Sequence, residues 1–156
     1  MVIIINKSPN ADSRTADKNT TFEEFSKATD MHRDDVKRTM EFLSGMILQA
    51  GENHDWTKKE KEKEFYDQFR KAIENGRKFT KSDWYKYHVT KERHHILAHC
   101  PDDVNLIDVL EMISDCCCAG LARQGFVRDI TIPSNILMKA FNNTVDLVKN
   151  SIKVED

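Results

Sequence analysis

Apolar side chains recur at helical spacing along most of the chain. Between residues 30 and 50 they fall every three or four positions, and Gly51 follows as a C-cap. A shorter helix over residues 21–28 precedes them, with Thr21 and Glu24 in the spacing of a capping box. Further helices are predicted over residues 57–75, 103–123 and 134–152, with one or two short helices between residues 80 and 100.

Two short stretches are rich in β-branched residues and predict strands. They cover residues 2–6, "VIIIN", and residues 126–133, "FVRDITIP", and we expect them to pair. Residues 6–20 are polar and lack an apolar period, which predicts a loop. The predicted fold class is therefore all-α, a helical bundle with a small two-stranded β-sheet. A single domain over residues 1–156 is expected, with its core at about 21–152.

Composition and charge indicate which kinds of binding partner the protein has. The chain has 156 residues, the size of one domain, and a formal charge of only −2. Because no large basic field exists, polymeric nucleic acid is disfavoured as a partner. The longest apolar run near the start, Val2 to Ile5, is too short for a signal peptide or a membrane span. The four cysteines read as reduced thiols, so we expect a cytoplasmic protein without a membrane partner.

Histidines and aspartates form the candidate chemistry of the chain. Imidazole and carboxylate groups are ligands of divalent metals, and His54 and Asp55 stand side by side in "GENHDWTKK". Neighbours on a straight helix diverge by about 100°, so both reach one ion only where the backbone bends. The junction between Gly51 and Thr57 predicts such a bend. His32 extends the apolar stripe of its helix, which predicts an inward imidazole.

Asp115 lies in the apolar stretch "EMISDCCCAGLA", where an unpaired carboxylate requires a cation or a proton. Other interpretations stay open at this point. His32 can be a helix-start histidine bonded to a backbone carbonyl, and Asp55 can form an Asx-type turn. Asp108, Glu111 and Asp115 can form an exposed stripe. The cysteine run 116–118 is better explained by an apolar helix than by soft-metal binding.

The order of these residues resembles the HD-domain superfamily of metal-dependent phosphohydrolases. His32, His54, Asp55 and Asp115 follow the pattern of that family, and Lys58 in "HDWTK" matches the form found in its bimetallic members. "YHVTKERHH" adds histidines where those members carry more of them. The resemblance covers about residues 30–123 and is to a compact relative of the phosphodiesterase-like branch, and similar small proteins occur in phage genomes.

The resemblance implies roles for individual residues. His32, His54, Asp55 and Asp115 would hold one ion, and Asp55 would bridge to a second ion held by His88 and by His94 or His95. Mn, Fe, Mg, Zn and Ni are not distinguished. Water activated there would attack phosphorus, while Lys58 would hold a phosphate oxygen and stabilise negative charge. His95 would stand on the substrate side, and Trp84 either stacks a base at the pocket rim or belongs to the core.

The implied activity is divalent-metal-dependent hydrolysis of a nucleotide or a nucleotide-derived small molecule. A di-iron oxygenase is one alternative, because the same superfamily contains oxygenases with four histidines and two aspartates at their site. A non-catalytic, metal-stabilised ligand-binding protein is another, since "ILAHCPDD" follows the histidine pair in place of a glycine-rich substrate motif. A homodimer stays open.

Overall fold

The computed structural model describes residues 2–155 and is mostly helical. The chain divides into two compact units. One contains the chain up to residue 46 together with the chain from residue 145 onward, and the other spans residues 47–144. A single domain over the whole chain stays a prediction, because this division does not decide which parts fold independently.

The first unit contains the small sheet. Strand β1, Ile3–Asn6, pairs in parallel with strand β2, Ile152–Glu155, so that Ile3 lies opposite Ile152. The predicted all-α fold with a two-stranded sheet is confirmed, but the predicted pairing with residues 126–133 is wrong. Those residues form no strand, and Ile130 and Ile132 instead pack against the core of the second unit. Their alternating apolar pattern reflects one buried face, not strand pairing.

Helix α1, Phe22–Asn53, begins in the first unit and ends in the second. The predicted capping box is confirmed, because the Thr21 backbone N–H donates to Glu24 Oε2 at 2.9 Å and the Glu24 N–H donates to Thr21 Oγ1 at 3.3 Å. The two helices predicted over residues 21–28 and 30–50 are one continuous helix, since neither glycine nor proline occurs between residues 22 and 44 of α1. Gly51 lies inside this helix, so its predicted role as a C-cap is wrong.

The second unit is built from helices on both sides of a turn at residues 92–105. Gly125, with φ 75°, ends the helix predicted over residues 103–123. Within residues 2–155, no helix is both long and apolar enough to cross a membrane. The remaining elements are α2, Trp56–Glu60; α3, Glu62–Glu74; a 3₁₀ turn, Phe79–Lys81; α4, Asp83–Lys91; α5, Leu106–Gln124; and α6, Ser134–Ser151, which continues into the first unit.

Two apolar clusters fix these helices. One consists of Ile96, Val104, Val109, Met112 and Ala140, and it packs the turn after α4 against α5 and α6. The other is aromatic and joins α3 to α4.

Trp84 is the centre of the aromatic cluster. Its ring centroid lies 4.3 Å from that of Phe65, and its ring stacks on His88 at 5.0 Å with an interplanar angle of 15°. Only 1% of Trp84 is exposed, so the predicted place of Trp84 at a pocket rim is wrong. The indole ring instead packs against one face of the His88 imidazole.

Candidate metal centre

The chain bends sharply at Asp55, between α1 and α2. Asp55 has φ 58° and ψ 27°, and it is the one non-glycine residue with positive φ in the described part of the chain. A left-handed conformation costs an L-residue about 1–2 kcal/mol, although aspartate tolerates it better than most. The junction therefore has the bend that the sequence predicted, and His54 and Asp55 face the same region.

Two groups of side chains have their ligand atoms within 4.8 Å of one another. The first group comes from the α1–α2 junction, from α4 and from the turn after α4. The second group adds a carboxylate from α5, and the two groups share His94. They are Asp55, His88, His94 and His95 in the first group, and His54, His94 and Asp115 in the second.

The carboxylate of Asp55 faces both groups. Its Oδ1 atom is buried without a hydrogen-bond partner, 3.5 Å from His88 Nε2 and 3.9 Å from His94 Nε2. Its Oδ2 atom lies 3.4 Å from His54 Nε2 and accepts a hydrogen bond from the Lys58 ammonium group. An unpartnered buried carboxylate oxygen is costly, so the position of Oδ1 suits a bound cation.

The orientation of His88 is set by a buried threonine. The Thr57 hydroxyl donates to Glu92 Oε1 at 2.5 Å, and the Thr57 backbone N–H donates to the same oxygen at 2.8 Å. Because its proton is used in this way, the hydroxyl accepts from His88 Nδ1, 2.7 Å away. His88 Nε2 then carries the lone pair, which lies 2.8 Å from His95 Nε2 and 3.5 Å from Asp55 Oδ1. Thr57 was predicted as the start of a helix, and its role at the site was missed.

Glu111 on α5 orients two further histidines. His54 Nδ1 hydrogen-bonds to Glu111 Oε1 at 2.9 Å. His94 Nδ1 lies 2.9 Å from the same oxygen as an ion-pair contact, without hydrogen-bond geometry. A carboxylate on Nδ1 leaves Nε2 free as a ligand, which is how carboxylates orient metal-binding histidines. His54 Nε2 points toward Asp115 Oδ1, 3.6 Å away.

His94 and His95 lie in a non-helical turn, so neighbouring imidazoles can face one region. Their ring centroids are 4.3 Å apart, and His95 Nε2 lies 2.8 Å from His88 Nε2. Arg93 fastens this turn to the start of α5 by donating from Nε and Nη2 to the two carboxylate oxygens of Asp108, at 2.7 and 2.9 Å. The turn and α5 therefore keep a fixed spacing.

Burial and neighbouring charges shift the pKa values of the site in different directions. Burial, with the nearby His95, lowers the pKa of His88 to about 4, and burial, with His94, lowers the pKa of His95 to about 4. Burial also disfavours protonated His94, but contact with Glu111 outweighs it and raises the pKa of His94 above 6.5. Burial opposes ionisation of Asp55, yet Lys58 lowers its pKa overall. His88 and His95 are therefore neutral donors at pH 7.

His32 is not brought to these groups. It is exposed on α1, 22 positions before His54, so its predicted inward orientation is wrong. His32 belongs to neither ligand group of the described residues.

The carboxylates of α5 do not form an exposed stripe. Asp108 is buried and paired with Arg93, and the Glu111 side chain is 12% exposed. Asp115 was expected to be buried, whereas its side chain is 35% exposed because it borders two cavities. Glu111 was missed as a site residue, although its place one turn before Asp115 on the same helix face was a usable signal.

Both cavities open onto the candidate ligands. A cavity of about 510 Å³ is bordered by His94, His95 and Asp115. A smaller, mostly apolar cavity of about 240 Å³ is bordered by His54, Glu111 and Asp115. The ligand groups therefore have space for a small molecule beside them.

Residues 21–147 match the DUF5662 family, which is described as a family of unknown function. The match covers most of the chain, so the chain belongs to this family. No curated protein and no solved structure gives a significant match.

Proposed function

We propose that this member of the DUF5662 family binds divalent metal and hydrolyses a small phosphate ester, with a nucleotide or a nucleotide-derived molecule as the substrate class. The proposed ligands are His54, Asp55, His88, His94 and Asp115, with His95 in the same group of atoms. His32 is left out, because it is exposed far along α1.

One observation carries the proposal. The buried Oδ1 atom of Asp55 has no hydrogen-bond partner, while the neutral imidazole of His88 and the imidazole of His94 approach it through Nε2. Thr57 holds the Nδ1 side of His88, so His88 Nε2 carries a lone pair 3.5 Å from the Asp55 oxygen and in hydrogen-bond contact with His95 Nε2. Two electron-rich atoms facing each other in a buried position repel unless a cation or a proton lies between them. The donor set of imidazole and carboxylate suits Mn, Fe, Zn or Ni, and Mg less well.

Asp55 also supports the bridging role that the resemblance implies. Oδ1 faces His88 and His94, whereas Oδ2 faces His54. His94 belongs to both groups, but one Nε2 lone pair serves one ion at a time. Two ions would therefore divide the ligands between them, with Asp55 contributing one oxygen to each.

The residues of the chain have defined tasks in such a reaction. A bound divalent ion supplies Lewis acidity and lowers the pKa of water near phosphorus. Hydrolysis joins the water oxygen to phosphorus and breaks the ester P–O bond, and the leaving alcohol takes a proton. Lys58, whose ammonium group bonds Asp55, is placed to move to a phosphate oxygen and stabilise its charge. His95 borders both the ligands and the larger cavity and would contact substrate.

The test is elemental analysis of protein purified without added metal, compared with His54→Ala, Asp55→Asn and His99→Ala. Asparagine tolerates the left-handed backbone of residue 55, so that variant removes charge with little change of conformation. His99 is exposed and outside both groups, so it is the matched control. We expect wild type and His99→Ala to contain metal and to hydrolyse bis(4-nitrophenyl) phosphate, and the other two variants to lose both properties.

The stoichiometry separates the parts of the proposal. Two ions per chain support a bridging Asp55, and one ion per chain removes that role. Full metal content in both His54→Ala and Asp55→Asn would contradict the site itself.

A second candidate is a di-iron oxygenase. The two ligand groups together contain four histidines and two aspartates, which is the set of the oxygenases in the superfamily that the sequence resembles. Iron in the purified protein, with oxygen consumption on addition of substrate, would favour this activity over hydrolysis. Metal-loaded protein that binds a phosphate ester and returns it unchanged would favour the non-catalytic alternative.

The proposal places the protein in the cytoplasm, which its four unpaired cysteines support. The phage-type relationship and a homodimer stay predictions.

A further inference from the structure

We propose that the 510 Å³ cavity binds a phosphate ester that carries a second anionic group, with the phosphate at His94 and Asp115 and the second anion at Arg123 and Arg128. This inference rests on the proposed function, because that function places the reacting phosphate at one end of the cavity.

The near end of the cavity is the metal centre. His94, His95 and Asp115 belong to the ligand groups and also border this cavity, so a molecule inside it lies against them. The Tyr85 ring stands beside this end, with its centroid 6.5 Å from that of His95. An aromatic wall suits a ligand with a flat body.

One face of α5 connects the two ends. Cys116, Ala119 and Gly120 border the cavity between Asp115 and Arg123. The small side chains of Cys116 and Ala119, and the lack of one at Gly120, leave room along the helix. Eight residues of α-helix separate Asp115 from Arg123, which places their backbones about 12 Å apart along the axis. Flexible arginine side chains can shorten that span, so the cavity suits a molecule with charges at opposite ends.

The opposite wall of the cavity packs closely against α5 at Gly120. A Cβ atom at this position would lie 2.8 Å from the Phe126 carbonyl oxygen and 3.2 Å from the Val127 Cα. The segment after α5 therefore crosses the helix in direct contact with it. This crossing places Arg128, Ile130 and Thr131 on the far wall of the cavity.

The far end contains two guanidinium groups without an acidic partner. Within residues 2–155, neither Arg123 nor Arg128 forms an ion pair, although Arg128 Nε donates to Gln124 Oε1 at 3.2 Å. Asp129 stands on the same rim and opposes an anion there. Paired arginines that lack carboxylate partners bind phosphate or carboxylate groups well, because their planar forks match these anions.

The experiment uses benzylphosphonate and 4-carboxybenzylphosphonate, which are not hydrolysed and differ only in the distal carboxylate. Dissociation constants are measured by calorimetry with manganese-loaded and with metal-free protein. We expect the carboxylate to strengthen binding to wild type about tenfold. The Arg123→Gln/Arg128→Gln double variant should bind both phosphonates equally.

Two variants serve as controls. Asp129→Asn removes the opposing charge, so it should keep the preference for the carboxylate and enlarge it. Arg33→Gln removes one positive charge at an exposed position of α1 outside the cavity lining and should leave the preference unchanged. Because Arg123, Arg128 and Asp129 are exposed, their substitution should change the stability of the fold little. Thermal unfolding of each variant checks that it folds.

Equal affinity of wild type for the two phosphonates, or an undiminished preference in the double variant, would overturn the inference. If the proposed metal-dependent function is wrong, the measurements differ from those that overturn the arginine site. In that case manganese does not strengthen the binding of benzylphosphonate, while the carboxylate preference of metal-free protein still supports or refutes the arginine site.

Discussion

Single residues at this site combine tasks that are usually separate. Asp55 turns the chain with a left-handed backbone and faces both ligand groups with its carboxylate. Thr57, two residues later, holds His88 through its hydroxyl and Glu92 through both its hydroxyl and its backbone N–H. The junction between α1 and α2 therefore supplies ligands and also the groups that orient other ligands. Strained backbone at such a place is typical of functional sites.

Glu111 is the residue whose substitution tests this orientation most directly. Glu111→Gln removes the negative charge that faces His54 Nδ1 and His94 Nδ1. Loss of an orienting carboxylate lowers metal affinity by about 10–100-fold in comparable sites. We expect a decrease of that size in a titration against a chelating dye, together with a lower pKa of His94, because its contact with Glu111 is what raises that pKa.

Glu64→Gln is the matched control, since Glu64 is an exposed glutamate on α3 outside the site. It should leave the metal affinity unchanged. Unchanged affinity in Glu111→Gln as well would mean that Glu111 does not orient the ligands.

At the scale of elements, the sequence predicted some features that depend on neighbours in the chain, although the C-cap predicted at Gly51 was wrong. The Thr21 and Glu24 box is such a local hydrogen-bonding pattern and is found, and α5 ends at Gly125, close to the predicted end at residue 123. Strand pairing depends on distant residues. Only Ile152, the first residue of β2, was included in the predicted last helix, while residues 126–133 alternated for a different reason, the partial burial of Ile130 and Ile132.

Two glycines on different helices should respond oppositely to alanine. Gly45 lies inside α1, where a Cβ atom would have open space, so Gly45→Ala should stabilise the protein by about 0.5–1 kcal/mol. Gly120 is in contact with the Phe126 carbonyl, so Gly120→Ala should destabilise it by about 1–3 kcal/mol. Urea unfolding of the two variants measures both changes. A stabilising Gly120→Ala would show that the segment after α5 moves easily.

At the scale of the whole molecule, residue types and periodicity could name most candidate ligands, while a grouping came only from the family resemblance. His54, Asp55, His88, His94 and Asp115 meet because α5 and the turn after α4 approach the α1–α2 junction. Periodicity cannot show which helix faces approach one another. His32 was included because a family pattern gives order along the chain and not distance. Trp84 was misplaced because aromatic residues suit a core and a pocket rim equally well.

Metal binding should therefore appear as stability of the folded chain. The proposed ligands are distant in sequence, so the unfolded chain lacks the site, and a ligand that binds only the folded state at 100 times its dissociation constant adds about 2.7 kcal/mol. We expect manganese or zinc to raise the melting temperature of wild type and EDTA to reverse the change. The effect should weaken as pH falls through the raised pKa of His94, because a proton then competes for this ligand, whereas His88 and His95, with pKa values of about 4, stay neutral. Asp55→Asn should show no increase with metal, and an increase equal to that of wild type would place the ion elsewhere in the protein.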